Sequence, residues 1–231
     1  MDKKNYNFQL FRFCLIFLPV ILLCGCMAGE KGNPEFAGPP IESGKIAFLG
    51  FKPAISEGQD PDIFHNPISG SSVGAEPVSQ TVTDKMSDRM YDMLIDGKDY
   101  EMINLQETKN LTNPALFKAG VDEIKKIQAI GNAVSADIVL MGYFYRFQER
   151  EGSELSASNP ASVAFDVYLI NVEDGAILWK GRFDKTQKFL SDNLLEIKAF
   201  FKFKGKWVDA DTLAGIGLQE LIDKMPLRNK K

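Results

Sequence analysis

Ala136-Asp137-Ile138-Val139-Leu140-Met141-Gly142-Tyr143-Phe144-Tyr145-Arg146-Phe147 is the longest apolar run in the second half of the chain. It is apolar on both faces up to Tyr145, the pattern of a central strand covered on both sides. On its C-terminal side, after a polar stretch from Glu149 to Pro160, Ser162–Val172 and Ala176–Thr186 flank Glu173-Asp174-Gly175. An Asp-Gly pair between two such runs signals a β-hairpin. On its N-terminal side, Val121–Val134 repeats Ile124, Ile127, Ile130 and Val134 at helical spacing. Further out, Lys45–Phe51 reads as a first buried strand, Val78–Asp96 as a helix with Val82, Met86, Met90, Met93 and Leu94 on one face, and Tyr100–Leu105 as a strand. Pro77 suits the first turn of that helix and Gly97 its stop. Asn113-Pro114 starts a short helical turn.

Two helices close the chain, Leu190–Phe201 and Ala210–Met225, the second capped by Asp209 or Asp211 and ended by Pro226. The order β-α-β-α-β-β-β-α-α predicts an α/β (α+β) mixed sheet: parallel pairing by right-handed crossovers among the first strands, then an antiparallel meander. Lys52–Pro77, rich in Pro, Gly, Ser and Asp, reads as a long loop, functional or mobile.

The N-terminus decides location. Lys3, Lys4 and Arg12 precede an apolar run from Phe13 to Leu23 that is too short for a membrane span, which needs about 20 apolar residues. The run ends in Leu23-Cys24-Gly25-Cys26, which resembles the lipoprotein signal-peptidase site: a branched apolar residue three before the cysteine and small residues between. Cys24 fits less well, because Leu23 is too large for the residue before the acceptor. The expectation is therefore a signal peptide over 1–25 cleaved after Gly25, lipidation of Cys26, a tether over 26–43, one domain over 44–226 and a basic tail over 227–231.

Each buried CH₂ adds roughly 0.8 kcal/mol to anchoring, so several acyl chains on Cys26 would hold the protein firmly in the bilayer. Met27, not Asp, follows the cysteine, which by the enterobacterial sorting pattern points to the outer membrane and its periplasmic face. Residues 1–25 hold three basic and one acidic residue, so the remaining 206 residues keep 24 Lys+Arg against 30 Asp+Glu, a formal net charge of −6. A mildly acidic domain is a poor nucleic-acid binder. Cys14 and Cys24 leave with the signal, so no disulfide and no cysteine metal site are expected in the domain.

Three segments carry a resemblance. Lys45–Phe51 (KIAFLGF) follows the tether; Ala136–Gly142 is a helix-led strand of the form AD-apolar-apolar-x-G; and Tyr168–Gly181 joins a strand, a D-G turn and a strand with Trp179. Together, over residues 44–187, they resemble lipoproteins with a TolB-N-terminal-like domain, the group of CsgG and LpoB. The resemblance implies a protein without a cofactor that acts through contacts with an envelope protein or with itself, as activator, scaffold or subunit of an oligomeric secretion assembly. No site residue carries over, and no pair of amphipathic hairpins with outward apolar bands marks a membrane barrel.

Candidate chemistry is sparse. Gly70-Ser71-Ser72-Val73-Gly74 matches G-x-S-x-G, but lies in the loop region, and the one histidine, His65, precedes it; an envelope hydrolase would need a pocket there. Asp60, Asp62 and His65 are the only candidate metal cluster and lack a fourth ligand. Glu149, Glu151 and Glu154 are the candidate carboxylates for glycan hydrolysis, with no aromatic platform beside them; Glu173 and Asp174 read as turn formers. Phe200, Phe201, Lys202, Phe203, Lys204, Lys206 and Trp207 interleave aromatics with lysines, a candidate partner surface or a helix end whose lysines stay in water. The sequence thus predicts a non-enzymatic lipoprotein with no metal site. Replacing Cys26 with Ser is expected to leave an unlipidated precursor; normal palmitate labelling and normal membrane fractionation of that variant refute the lipobox reading.

Overall fold

Ile138–Gln148 is the axis of a five-stranded sheet in the computed structural model, which describes residues 41, 44–95, 100–103, 105–111, 120–153, 157–187 and 207–227. In chain order the strands are β1 (Lys45–Pro53), β2 (Ile55–Ser56), β3 (Asp62–His65), β4 (Ser72–Ala75), β5 (Pro77–Val78), β6 (Glu101–Ile103), β7 (Ile138–Gln148), β8 (Glu151–Gly152), β9 (Ala157–Asn159), β10 (Ser162–Asn171) and β11 (Ile177–Thr186). The helices are α1 (Gln80–Ile95), α2 (Leu105–Leu111), α3 (Glu123–Ala133) and α4 (Ala210–Lys224). The large sheet runs β11-β10-β7-β1-β6, with β1 parallel to β6 and to β7, and β7, β10 and β11 antiparallel in sequence. This is the mixed α/β sheet with a terminal meander that the sequence predicts.

The connectivity dictates the layers. From β1 the chain crosses to β6 on one side, then returns past β1 to β7 on the other. Two right-handed crossovers in opposite directions put their helices on opposite faces. Accordingly α1 packs with α4 over one face, on Phe48, Phe51, Phe144, Val163, Phe165 and Phe183. The other face carries α3 and the β3–β4 hairpin over Val139, Met141, Tyr143, Tyr145, Tyr168 and Ile170. Asp122 caps α3 by accepting from Ile124 N at 2.9 Å, and Asp209 caps α4 by accepting from Thr212 N at 2.7 Å. Asp211, the alternative cap, instead pairs with Lys85 and Arg89 of α1 and so ties the two helices together.

Two irregularities steer side chains. The β1–β7 register shifts between Phe48 and Phe51, where Gly50 takes a φ of 78°. A bulge at a left-handed glycine is what lets Phe48 and Phe51, three apart, face the same core. Phe51 then lies over Gly142, stacks edge-on against Phe144 at 4.9 Å and reaches Phe165 at 5.6 Å. Phe165 continues the ladder to Phe183 at 5.4 Å. The second shift lies in β7 beside Ala164 and Phe165.

Several expectations are corrected. Residues 52–77 are not a structureless loop: β2 pairs with β5 and β3 pairs with β4 as a hairpin. Pro77 belongs to β5, not to the first turn of α1, which begins at Gln80 after Ser79. The second expected strand ends at Ile103, and Leu105 opens α2, a helix the sequence pattern does not announce. The polar stretch after β7 contains the short β8–β9 pair. Gly97, Asn113-Pro114, helix 190–201 and tail residues 228–231 lie outside the described residues. Ile41 bridges Leu227 beside the end of α4, with Ile41 N donating to Pro226 O at 2.8 Å. Among the described residues no helix is long and apolar enough to cross a membrane.

A methyl group on Gly142 would sit 2.4 Å from the Phe51 ring and 2.6 Å from the Asp166 carbonyl. Since one contact is backbone, the strand itself must move. Gly142→Ala is expected to cost about 1–3 kcal/mol, the usual price of overpacking a filled core, read as a lowered urea midpoint; an unchanged midpoint contradicts the packing.

Candidate functional site

Ser162–Val172 reads as a plain apolar strand except for one residue, Asp166. In the structure β10 is buried along Ser162–Ile170, and Asp166 has no accessible surface. A carboxylate removed from water must be paired and hydrogen-bonded. Its Oδ2 accepts from the Tyr145 hydroxyl at 3.0 Å and from the Tyr168 hydroxyl at 2.9 Å, with Lys180 Nζ at 3.2 Å. Arg182 Nε lies 3.8 Å from Oδ1, which makes no hydrogen bond among the described residues. Lys180 also sits over the Tyr168 ring and Arg182 over the Tyr145 ring, each at 5.4 Å, within cation–π range. Burial, then the Asp166 charge, push both tyrosine hydroxyls above their usual range, so they remain neutral donors.

The antiparallel register turns this cluster into rows across the sheet. Arg182 faces Asp166 and Lys180 faces Tyr168. Next come Arg146, Ala164 and Asp184, and at the end Gln148, Ser162 and Thr186. Arg146 joins the same face as Tyr145 because the β7–β10 register shifts between Ala164 and Phe165, a bulge that turns two successive side chains one way. The Arg146 guanidinium is fixed by Ser162 Oγ and by Asp184 Oδ1, each at 2.6 Å.

Beyond Arg146 opens a cleft of about 750 Å³ lined by Glu76, Arg146, Gln148, Glu149, Glu151, Asn159, Pro160, Ser162 and Thr186. Each of its three glutamates is held by one donor: Glu76 by Gln148 at 2.6 Å, Glu149 by the backbone N of Ala210 at the start of α4 at 3.1 Å, and Glu151 by Asn159 at 2.6 Å. Among the described residues their second oxygens accept nothing. With the Arg146 charge already paired to Asp184, the cleft offers more acceptors than donors and suits a cationic, donor-rich group.

The structure distributes the sequence candidates differently. His65 Nδ1 lies 2.9 Å from Ser72 Oγ, but as an exposed cross-strand pair of the β3–β4 hairpin. Gly70–Gly74 runs from a hairpin turn into β4, not from a strand through a turn into a helix, and so lacks the hydrolase elbow context. Ser71 bonds Ser69 at 2.8 Å. Asp60 and Asp62 are exposed, Asp62 accepts from its neighbour Ile63 N, and among the described residues no group of three His, Cys, Asp or Glu side chains could hold a metal. Glu149 and Glu151 both line the cleft, while Glu154 lies outside the described residues. Asp174 accepts from Ala176 N at 2.9 Å in the β10–β11 turn, and Glu173 N donates to Asn171 Oδ1 there. Lys202, Lys204 and Lys206 are outside the described residues; Trp207 is buried, with the Arg150 guanidinium donating to its carbonyl. The sequence pattern does not single out Asp166, Lys180 and Arg182; their one signal is a lone carboxylate inside an apolar strand.

No protein-family model and no curated protein matches the chain. Solved structures do. A point variant of the PelC dodecamer from Paraburkholderia phytofirmans aligns at 15% identity over 84% of this chain and 96% of that one, with a TM-score of 0.45. The lipoprotein GNA1162 from Neisseria meningitidis aligns at 12% identity over 68% and 95%, TM-score 0.41. The LpoB C-terminal domain from Salmonella enterica aligns at 12% identity over 65% and 85%, TM-score 0.37.

Replacing Asp166 with Ala strands two phenols and a lysine and is expected to cost about 3–5 kcal/mol, the range for breaking a buried pair from one side. Tyr168→Phe removes one bond to the carboxylate and is expected to cost about 1.5–3 kcal/mol. Chemical denaturation measures both; equal losses would mean that the charge does not organise the cluster.

Proposed function

We propose that this chain is a non-enzymatic lipoprotein, cleaved after Gly25 and anchored through acylated Cys26, whose α/β domain binds a protein partner in the cell envelope. The tether over 26–43 carries the domain of 44–226 away from the membrane, and the absence of Asp after Cys26 favours the outer membrane with the domain in the periplasm. One observation carries the partner reading: the open polar cleft between the end of the meander and the β8–β9 pair, with an immobilised arginine and three glutamates each held from one side. Side chains fixed by neighbours need little ordering on association, which is what favours binding at a polar surface. The charge balance of the cleft suits a lysine or arginine side chain presented by the partner.

A photo-crosslinking residue at Thr186, on the cleft, is expected to trap a discrete protein adduct in intact cells, identified by mass spectrometry. The same residue at Gln219, on the exposed side of α4, is expected to trap none. Charge reversal at Glu76 and Glu151 should weaken the Thr186 adduct. Equal adducts at both positions, or hydrolytic activity that disappears with His65→Ala, overturns the reading.

A further inference from the structure

The β3–β4 hairpin stands apart from the large sheet. Its two strands bond to each other and, among the described residues, to no strand of the large sheet. Its neck is fixed by backbone. Ala54 N donates to Phe144 O at 2.8 Å and Glu76 N to Tyr145 O at 2.7 Å, so both feet stand on successive carbonyls of the β7 bulge. The β2–β5 pair closes the neck just above. Its tip is held by side chains instead. Asn66 Nδ2 donates to the Tyr145 hydroxyl at 2.8 Å, and Ser69 Oγ meets the Tyr168 hydroxyl at 3.2 Å. The tip is internally rigid, because Asn66 Oδ1 accepts from Ile68 N and Ser69 N, and Asn66 N donates to Ser71 O.

Beneath the tip is the floor of Tyr145, Asp166 and Tyr168, rimmed by Lys180 and Arg182. The apolar part of the contact is Phe64 against Tyr143 and Tyr145, with Ile68, Val73 and Ala75 buried beside them. Removing a cover from an apolar floor costs about 25 cal/mol per Å² of apolar surface exposed. Here most polar groups of the floor would keep their partners if the cover left, since Asp166 retains both tyrosines and Lys180. Gly58, with a φ of 85° and open space around it, lies at the foot between β2 and β3.

We infer that the β3–β4 hairpin is a strap that swings from its neck as a unit and uncovers the tyrosine–Asp166 floor, joining it to the cleft beyond Arg146. The two surfaces are already continuous along the sheet, because the bulge places Tyr145 and Arg146 side by side on one face. Closed, the strap leaves a short cleft; open, it exposes a polar groove that crosses the width of β7, β10 and β11. This opening is a property of the chain alone and holds whether or not a protein occupies the cleft.

Hydrogen exchange by mass spectrometry on the full-length protein tests it, over a urea series below the unfolding transition. Amides of residues 62–75 are expected to exchange faster than those of 138–148 and 162–171, at rates nearly independent of urea, as for local opening. Asn66→Ala removes the bond to Tyr145 together with the two Oδ1 bonds inside the tip, and Ser69→Ala the bonds to Tyr168 and Ser71; each is expected to speed exchange of the hairpin at least about threefold, the effect of one net hydrogen bond, while β10 is unchanged. Nitration of Tyr145 and Tyr168 by tetranitromethane should rise in parallel. If hairpin amides show the urea dependence of β10, or if the variants speed exchange of the whole sheet equally, the strap opens only with global unfolding and the inference fails. The wild-type urea series decides the matter by itself should a variant not fold.

Discussion

Asp166 is a carboxylate with no path to water at the centre of the most buried strand. Its donors have to come from the neighbouring strands on the same face, and the register leaves few positions: Tyr145 on β7, Tyr168 two residues along β10, and Lys180 and Arg182 on β11. Phenylalanine at 145 or 168 would fill the same space and take one donor from the carboxylate. The cluster therefore fixes residue type on three strands at once. It also reaches the hairpin, because each phenol that donates to Asp166 still has an oxygen lone pair, and those are met by Asn66 Nδ2 and by Ser69. A buried ion pair is weak evidence of added stability, so the cluster is better understood as a device that sets register and holds one cover in one place.

The bulges convert that requirement into a surface. Without the shift beside Tyr145, Arg146 would alternate to the aromatic face and meet the Phe144–Phe165–Phe183 ladder, where a guanidinium has no partner. With it, Arg146 continues the polar row, Ser162 and Asp184 hold it, and the cleft acquires its wall. The same shift presents the Phe144 and Tyr145 carbonyls outward to Ala54 and Glu76. Gly50 plays the matching part on β1, where its positive φ turns Phe51 onto Gly142. One irregularity therefore builds the aromatic core and the other the polar face.

What the sequence reveals follows from what is local. β7, the β10–β11 hairpin, α1, α3 and α4 carry their own periodicity or turn chemistry, and the parallel-then-meander order follows from their alternation. The failures have one physical origin. Strands of two to four residues, such as Ile55–Ser56 or Glu151–Gly152, have too few positions to show a period of two, and their pairing partners lie far along the chain or across a polar turn. Pro77 is an ambiguous residue of the same kind: its fixed φ suits a helix's first turn and an edge strand equally, and pairing with Ile55 decides. The cleft is legible only in part. Glu149 and Glu151 stand out as a charged pair, whereas Gln148, Ser162 and Thr186 are ordinary strand residues until the register sets them in a row.

The two faces of the sheet divide the work of folding and of contact. One is covered by α1 and α4 on an aromatic ladder with close packing at Gly181 and Gly217, where Trp179 and Phe183 lie against bare backbone. That face has no room for change, since interiors packed to crystal density register even one added methyl group. The other is apolar toward α3, around Ile127, Ile130, Val139 and Ile170, and under the hairpin, around Ile68, Val73 and Met141. Toward β11 it becomes hydroxyls, amides and paired charges, groups that tolerate water when uncovered. Since the aromatic side supplies much of the cohesion of the sheet, the polar side can be covered by a hairpin whose tip is held through side chains and still leave the fold intact. A sheet built with apolar side chains on both faces would be as stable, and would have no surface able to open and close against water.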